Sequence, residues 1–230
     1  MAAAYREVFE THAQNLRECC EENDFRRNLF SMISKTDSDS FLTFLVDDIL
    51  FINPFDISWL RGINPFNAIP SLRLSPEISF CQPGSIETPP PSFQTITSSH
   101  WLKFSWLKSK GDWAMPLSVD GNIFSRDDIM ALCEKIVFSA PNTFEQAMGP
   151  YRFLFKHRSG MCLKRPVIRN FAFNRVQTEI FDFPCGEISS EKFLQLWQNG
   201  MQLDIDHLAK VSARSCHVIC EPYLTKRNIG

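Results

Sequence analysis

Two adjacent carboxylates, Asp47 and Asp48, close a short apolar run, Phe41-Leu-Thr-Phe-Leu-Val46. Acids at the carboxyl end of a buried strand stand where open α/β sheets bind their ligands. Mg²⁺ and Mn²⁺ take hard oxygen ligands and usually keep waters and substrate phosphates, so one or two protein carboxylates suffice to hold one. Successive side chains of a strand point to opposite faces, which divides the pair. One aspartate reaches the cation while the other holds a ribose hydroxyl or a backbone amide. The competing reading is structural: the two acids end the strand and cap a turn. Other chemistries find less support. With Gly at only 9 of 230 residues, no Gly-rich phosphate loop occurs. The eight cysteines form no C-x-x-C pair, so they read as reduced, buried structural thiols rather than zinc ligands or a disulfide framework.

The elements that must position Asp47 and Asp48 follow from periodicity. A strand apolar on both faces belongs under helices, so 41–46 is expected as the central strand of a mixed α/β sheet. Helical spacing runs over 5–35, with Val8, Phe9, Leu16, Phe25, Leu29 and Phe30 as the buried face. Ser125-Arg-Asp-Asp128 opens a helix over 126–137 with a capping box, and Ile129, Leu132, Cys133 and Ile136 give its inner face. A second start, Asn142-Thr-Phe-Glu145, leads to a stop near Gly149-Pro150. Strands are expected over 167–173 and 216–220, and a helix over 190–199 stopped by Gly200. From 61 to 116 the signals are those of loops, with Leu74-Ser-Pro, Gln82-Pro-Gly and a triple proline, relieved by Trp101, Phe104, Trp106 and Trp113. So long an irregular stretch in a compact domain points to binding.

Composition narrows the partners. Lys and Arg number 24 against 26 acids, for a net charge of -2, so bulk electrostatics give no reason to expect nucleic acid or an anionic membrane as the main partner. No apolar run reaches the roughly 18 residues of a membrane span, and the amino terminus has no leader character. The expected address is the cytoplasm. Phe supplies 21 of the aromatics, which implies a tightly filled core.

Six short strings carry a resemblance. Phe44-Leu-Val-Asp-Asp-Ile-Leu-Phe-Ile52, Ser71-Leu-Arg-Leu74, Pro116-Leu-Ser-Val-Asp-Gly-Asn-Ile-Phe124, Pro141-Asn-Thr-Phe-Glu145, Asn174-Arg-Val-Gln177 and Ser215-Cys-His217 follow one another as in a group of bacterial glycosyltransferase-like proteins. That group resembles the nucleotide-diphospho-sugar transferases of GT-A fold, and the likeness runs from about Tyr5 to Lys226. It implies a single glycosyltransferase-like domain over 1–230, and a metal-dependent transferase moving a sugar from a nucleotide-sugar donor to a glycan or other hydroxyl acceptor. Asp48, with Asp47, matches the acidic motif that holds Mn²⁺ or Mg²⁺ on the diphosphate, and His217 the late histidine that completes the metal or diphosphate site. Without a diphosphate, His217 reads as an outward-facing residue of an alternating strand. The chain departs from the pattern at its front, where the first βαβ unit that cradles the nucleotide base has no counterpart. Weak nucleotide binding and self-association through an unpaired sheet edge are therefore expected.

Further residues join the candidate site, each beside a structural alternative. Arg73 is placed to pair with a diphosphate, or else to be stacked or solvated in an aromatic-rich loop. Asp120 is expected on donor sugar or acceptor, or in turn chemistry before Gly121. Glu145 is the candidate base that deprotonates the acceptor hydroxyl, or else a helix cap. Asn174 and Arg175 end a strand and meet phosphate, or form a hydrogen-bonded edge. Trp101, Trp106 and Trp113 form an acceptor platform, or, the favoured reading, core. Beside the transferase stand two other classes: a non-catalytic GT-A-derived remnant that binds a glycan or a protein, and a metal phosphohydrolase, for which no second acid and histidine cluster is seen.

Overall fold

The computed structural model describes residues 24–174 and 185–227, together with Glu7 and Glu10. In the first continuous stretch, helix Phe25–Ser34 leads into β1 (Phe41–Thr43), β2 (Ile49–Phe51), β3 (Ala68–Ser71), β4 (Phe80–Cys81), β5 (Ile86–Glu87), β6 (Gln94–Thr95), β7 (Trp101–Ser105) and β8 (Ile123–Ser125). Helices Arg126–Lys135, Pro141–Met148 and Arg152–Phe155 follow, then β9 (Ser159–Leu163) and β10 (Ile168–Phe171). The second stretch holds helix Ser190–Gln198, β11 (Met201–Leu203), the short helix Ile205–Leu208, β12 (His217–Val218) and β13 (Leu224–Lys226). The class is mixed α/β. One sheet has the order β3-β9-β7-β6, with β3 parallel to β9 and β7 antiparallel to it. A second has the order β12-β10-β2, and β1-β8, β4-β5 and β11-β13 are two-stranded.

The local signals that build the helices are those of the sequence. Ser125 caps Arg126–Lys135 by accepting from the Asp128 N–H at 3.2 Å, and its hydroxyl donates to the Asp128 carboxylate at 2.6 Å. Arg26 of the first helix donates to the carbonyls of Cys133 and Ile136, at 2.8 and 3.3 Å, where the last turn leaves acceptors without intrahelical partners. Pro141–Met148 begins on a proline, and Thr143 rather than Glu145 does the capping: its hydroxyl accepts from the Ala140 N–H at 2.9 Å. Ser189 caps Ser190–Gln198, and Gly200 follows at φ +74°, the left-handed conformation that ends a helix cheaply only at glycine. Apart from Glu7 and Glu10, the part of the 5–35 helical expectation before residue 24, including Val8, Phe9 and Leu16, lies outside the described residues.

Two expectations are corrected. The run 41–46 is not the central strand of the mixed sheet. Only Phe41–Thr43 pairs, antiparallel to β8 in a two-stranded ribbon, and Thr43 and Leu45 are exposed. The apolar run answers to the helices on one side, where Phe44 meets Phe144 edge to face at 5.5 Å between centroids, rather than to strands on both sides. The region 61–116 is likewise not loop alone. It contains five strands, among them β7, an inner strand bonded to both β9 and β6. Trp101 and Phe104 of β7 are buried while Lys103 and Ser105 point outward.

The three tryptophans are core. Trp101, Trp106 and Trp113 expose 1%, 0% and 0% of their surface, which removes them as an acceptor platform. Phe104 packs edge to face on Trp106 and Trp113, at 4.6 and 5.0 Å between centroids. The indole N–H of Trp113 donates to the Ile78 carbonyl at 3.1 Å and that of Trp101 to the Trp59 carbonyl at 2.9 Å, so these two have their polar tips satisfied inside, whereas the Trp106 N–H is buried without a partner among the described residues. Cys162, on β9 between β3 and β7, is buried, as are the free thiols of Cys81, Cys133 and Cys216.

Leu72, just past β3, ties the sheets to one another. Its N–H donates to the Gly121 carbonyl at 3.0 Å, and its own carbonyl accepts from the Val167 N–H at 2.7 Å. Val167 in turn accepts from Ile52 at 2.8 Å. These bonds carry the chain segments around 48, 72, 120 and 168 into one neighbourhood.

Candidate functional site

That neighbourhood is a buried polar cluster at the ends of short strands. Asp48 does not finish a long strand; it lies in the turn Asp47-Asp48 between Val46 and β2, with Asp47 exposed and Asp48 half-buried. Its backbone carbonyl accepts from the Phe171 N–H at 2.8 Å, and its side chain accepts from Asn170 Nδ2 at 2.7 Å. The β10–β2 register fixes this meeting by pairing Asn170 with Ile49. On the other flank of β10, β12 runs parallel and pairs His217 with Asn170. His217 therefore faces inward, 8% exposed, and its Nε2 lies 3.2 Å from Asp120 Oδ2. The outward-facing alternative for this histidine does not hold.

Asp120 comes from the loop 115–122, held open by hydrogen bonds. Asn122 Nδ2 donates to the carbonyls of Met115 and Pro116, at 3.0 and 3.1 Å, and Gly121 N–H to the Phe44 carbonyl at 2.9 Å. Gly121 sits at φ +74°, and a Cβ there would stand 2.1 Å from Ile168 Cδ1. Both the conformation and the close approach of β10 require glycine.

Arg73 is part of the cluster but not a diphosphate contact. It is 3% exposed, and its Nη1 lies 3.0 Å from Asp112 Oδ1 and 3.6 Å from Asp120 Oδ2. Two buried carboxylates thus take up its charge through Nη1, and burial leaves it neither solvated nor open to a phosphate. Glu145, facing inward from helix Pro141–Met148, accepts from the Val119 N–H at 3.1 Å and so braces the same loop. Asn174 is half-buried three residues past β10, and Arg175 lies outside the described residues.

The electrostatics follow from burial and crowding. Burial, reinforced by the charges of Asp120 and Asp47, pushes the Asp48 carboxyl up to about 7. Burial first, then Asp120, also raises Glu145. For Asp120 burial acts upward, but the hydrogen bond from His217 and the charge of Arg73 outweigh it and leave the carboxyl below its ordinary value. Asp120 and Glu145 therefore crowd the Arg73 cation, which Asp112 already shares, and Asp48 lies close enough to Asp120 to feel its charge.

Among the described residues no three His, Cys, Asp or Glu side chains group as ligands for one metal ion. Asp48 and His217 offer one carboxylate and one imidazole, a donor pair suited to Mn²⁺ or Mg²⁺ only where phosphate oxygens complete the shell. His217 also borders a crevice of about 230 Å³ lined by Phe80, Ser215 and Val218, to which Asp48, Asp120 and Glu145 do not contribute, and the space between Arg73, Asp120, Asn170 and His217 has no room for a water.

Sequence reasoning found Asp48, Asp120, Glu145, Arg73 and His217, and the fold brings these together. It missed Asp112, Asn122 and Asn170. Asp112 had a signal, an acid directly before the apolar run Trp113-Ala-Met-Pro-Leu117, whereas Asn170 reads as any polar residue in a strand. Comparison with family models, with curated proteins and with solved structures returns no match.

Proposed function

We propose that this cluster binds the diphosphate of a nucleotide sugar together with Mn²⁺ or Mg²⁺, and that the chain transfers the sugar to a hydroxyl acceptor. The observation that carries the reading is the convergence of Asp48, Asp120 and His217 from three separate segments, with Asp48 left short of positive charge. A crowded carboxylate of this kind gains most from a divalent cation and its diphosphate. When bound, the cation neutralises charge on the departing nucleoside diphosphate.

The chain's own residues supply the rest. Asn170 orients the Asp48 carboxylate through its Nδ2 donor, and the donor substrate is to reach the cluster from the crevice that His217 borders. Arg73 and His217 keep Asp120 ionised, poised to accept a hydrogen bond from a sugar hydroxyl. Glu145, with its carboxyl raised by burial, is the group to take the proton of an acceptor hydroxyl, once its bond to Val119 is exchanged for that hydroxyl.

A second reading, a non-catalytic GT-A-derived chain that binds a glycan or protein, is favoured by one observation. Arg73, the cation of the cluster, is committed to Asp112 and Asp120 and cannot neutralise a diphosphate. Calorimetry with a panel of nucleoside diphosphates, with and without Mn²⁺, separates the two. Binding that requires Mn²⁺ and is lost in Asp48→Asn supports the transferase. Equal, metal-independent affinity in both proteins sinks it.

A further inference from the structure

We propose that the surface around helix Arg152–Phe155 docks this protein on an anionic membrane, independently of what the polar cluster does. Phe153 and Leu154 are adjacent and expose 62% and 56% of their surface, and Phe66 exposes 57%. Phe66 belongs to the same surface as the helix, because Arg158 bridges them. Its guanidinium lies 4.6 Å from the Phe155 ring centroid and 5.9 Å from that of Phe66, and it donates to the Pro65 carbonyl at 3.0 Å. Asp128 fixes Arg158 from below with two bonds, at 2.5 and 2.8 Å, so the platform beneath the exposed rings is rigid.

The chain segment that carries Phe153 and Leu154 is basic. Between Glu145 and Glu179 every formally charged side chain is Lys or Arg, although the whole chain is at -2. Arg152 and His157 are exposed beside Phe153 and Leu154, and Lys156 is half-exposed. Apolar tips ringed by basic side chains are the chemistry of an interface with anionic headgroups: the rings enter the acyl boundary while the basic stems extend to the phosphates. Asp128, the acid of this platform, is neutralised by Arg158, and Arg152 and Lys156 beside the exposed rings make no ion pair among the described residues, so their charge is left for anionic headgroups rather than for the mixed charge of a protein surface. No helix among the described residues is long and apolar enough to cross a membrane, so the attachment is peripheral.

The test is co-sedimentation of the full chain with phosphatidylcholine vesicles, with and without about 30% phosphatidylserine, at low and at high salt. Expected is binding only to the phosphatidylserine vesicles, weakened by salt. Arg152→Gln with Lys156→Gln should lose about fivefold in partitioning for each charge removed. Phe153→Ser with Leu154→Ser should lose at least tenfold. All four residues are at least partly exposed, so thermal unfolding of each variant should match the parent. Equal binding to both vesicle types, no binding at all, or unchanged binding in the serine variant overturns the proposal. So does gel filtration showing a dimer that the serine variant disperses, which would assign the surface to a second copy of the chain.

Discussion

A carboxyl that titrates near 3.8 in the unfolded chain and at about 7 in the folded one makes stability depend on pH in a definite direction. Between those values the folded state holds the extra proton. The stability contributed by Asp48 is therefore full below the unfolded value and is lost as pH rises through about 7. Glu145 acts in the same sense, and Asp120, held low, in the opposite one: its contribution is present above the unfolded value and lost on acidification. Asp48→Asn is expected to flatten the decline on the neutral side, as urea denaturation followed from about pH 4 to 8 in the presence of a chelator would show. An unchanged slope would place the titration elsewhere. Arg73 makes a separate prediction. Arg73→Met leaves Asp112 and Asp120 buried without their cation, so it should cost about 3–5 kcal/mol, far more than changing an exposed arginine. Asp112→Asn together with Arg73→Met should recover part of that loss, because it removes one stranded charge. A double variant no more stable than Arg73→Met would argue against the pairing.

At the level of elements, Gly121 and the indoles set the tolerances. Gly121→Ala meets two penalties, a positive φ and a clash with Ile168, and should destabilise by about 1–3 kcal/mol from the backbone alone. Adding Ile168→Val removes the offending methyl but not the backbone strain, so only part of the loss should return in thermal unfolding. Trp106→Ala and Trp113→Ala should each cost about 3–5 kcal/mol, as fully buried aromatics do. A tryptophan variant that kept its stability would contradict the packing. These elements also show what a sequence can reveal. The helices Arg126–Lys135 and Ser190–Gln198 are legible because their caps, inner faces and stops are local. β7 is obscured because the Ser- and Pro-rich flanks on both sides carry the stronger local signal. The run 41–46 is legible as extended and apolar but not as a two-stranded ribbon, since helices and strands bury a side chain equally well. Within the site, acids and the histidine stand out by type. The pairing of Arg73 with Asp112 is a tertiary fact to which neither residue's neighbours point.

Across the whole molecule the sheets are assembled from distant parts of the chain: Ala68 pairs with Ser159, Ile49 with Asn170 and Asn170 with His217. Such pairings require long loops to close before any contact rewards them, so folding should be slow for a chain of this size. Removing the segment from 215 onward should unfasten β10 and Asp120 together, because His217 anchors both. Net charge conceals the distribution, since a chain at -2 still gathers one sign over 146–178. Cys162 on β9 carries this architecture into kinetics. Burial pushes its thiol up to about 12 and that of Cys133 up to about 11, whereas Cys185 and Cys220 are half-buried. An alkylating reagent needs an accessible thiolate, so Cys162 can react only while β3, β9 and β7 are apart. The labelling rate of that one sulfur is a clock for global opening. Mass spectrometry should find Cys185 and Cys220 modified early, with Cys162 following at a rate that urea accelerates as steeply as unfolding itself.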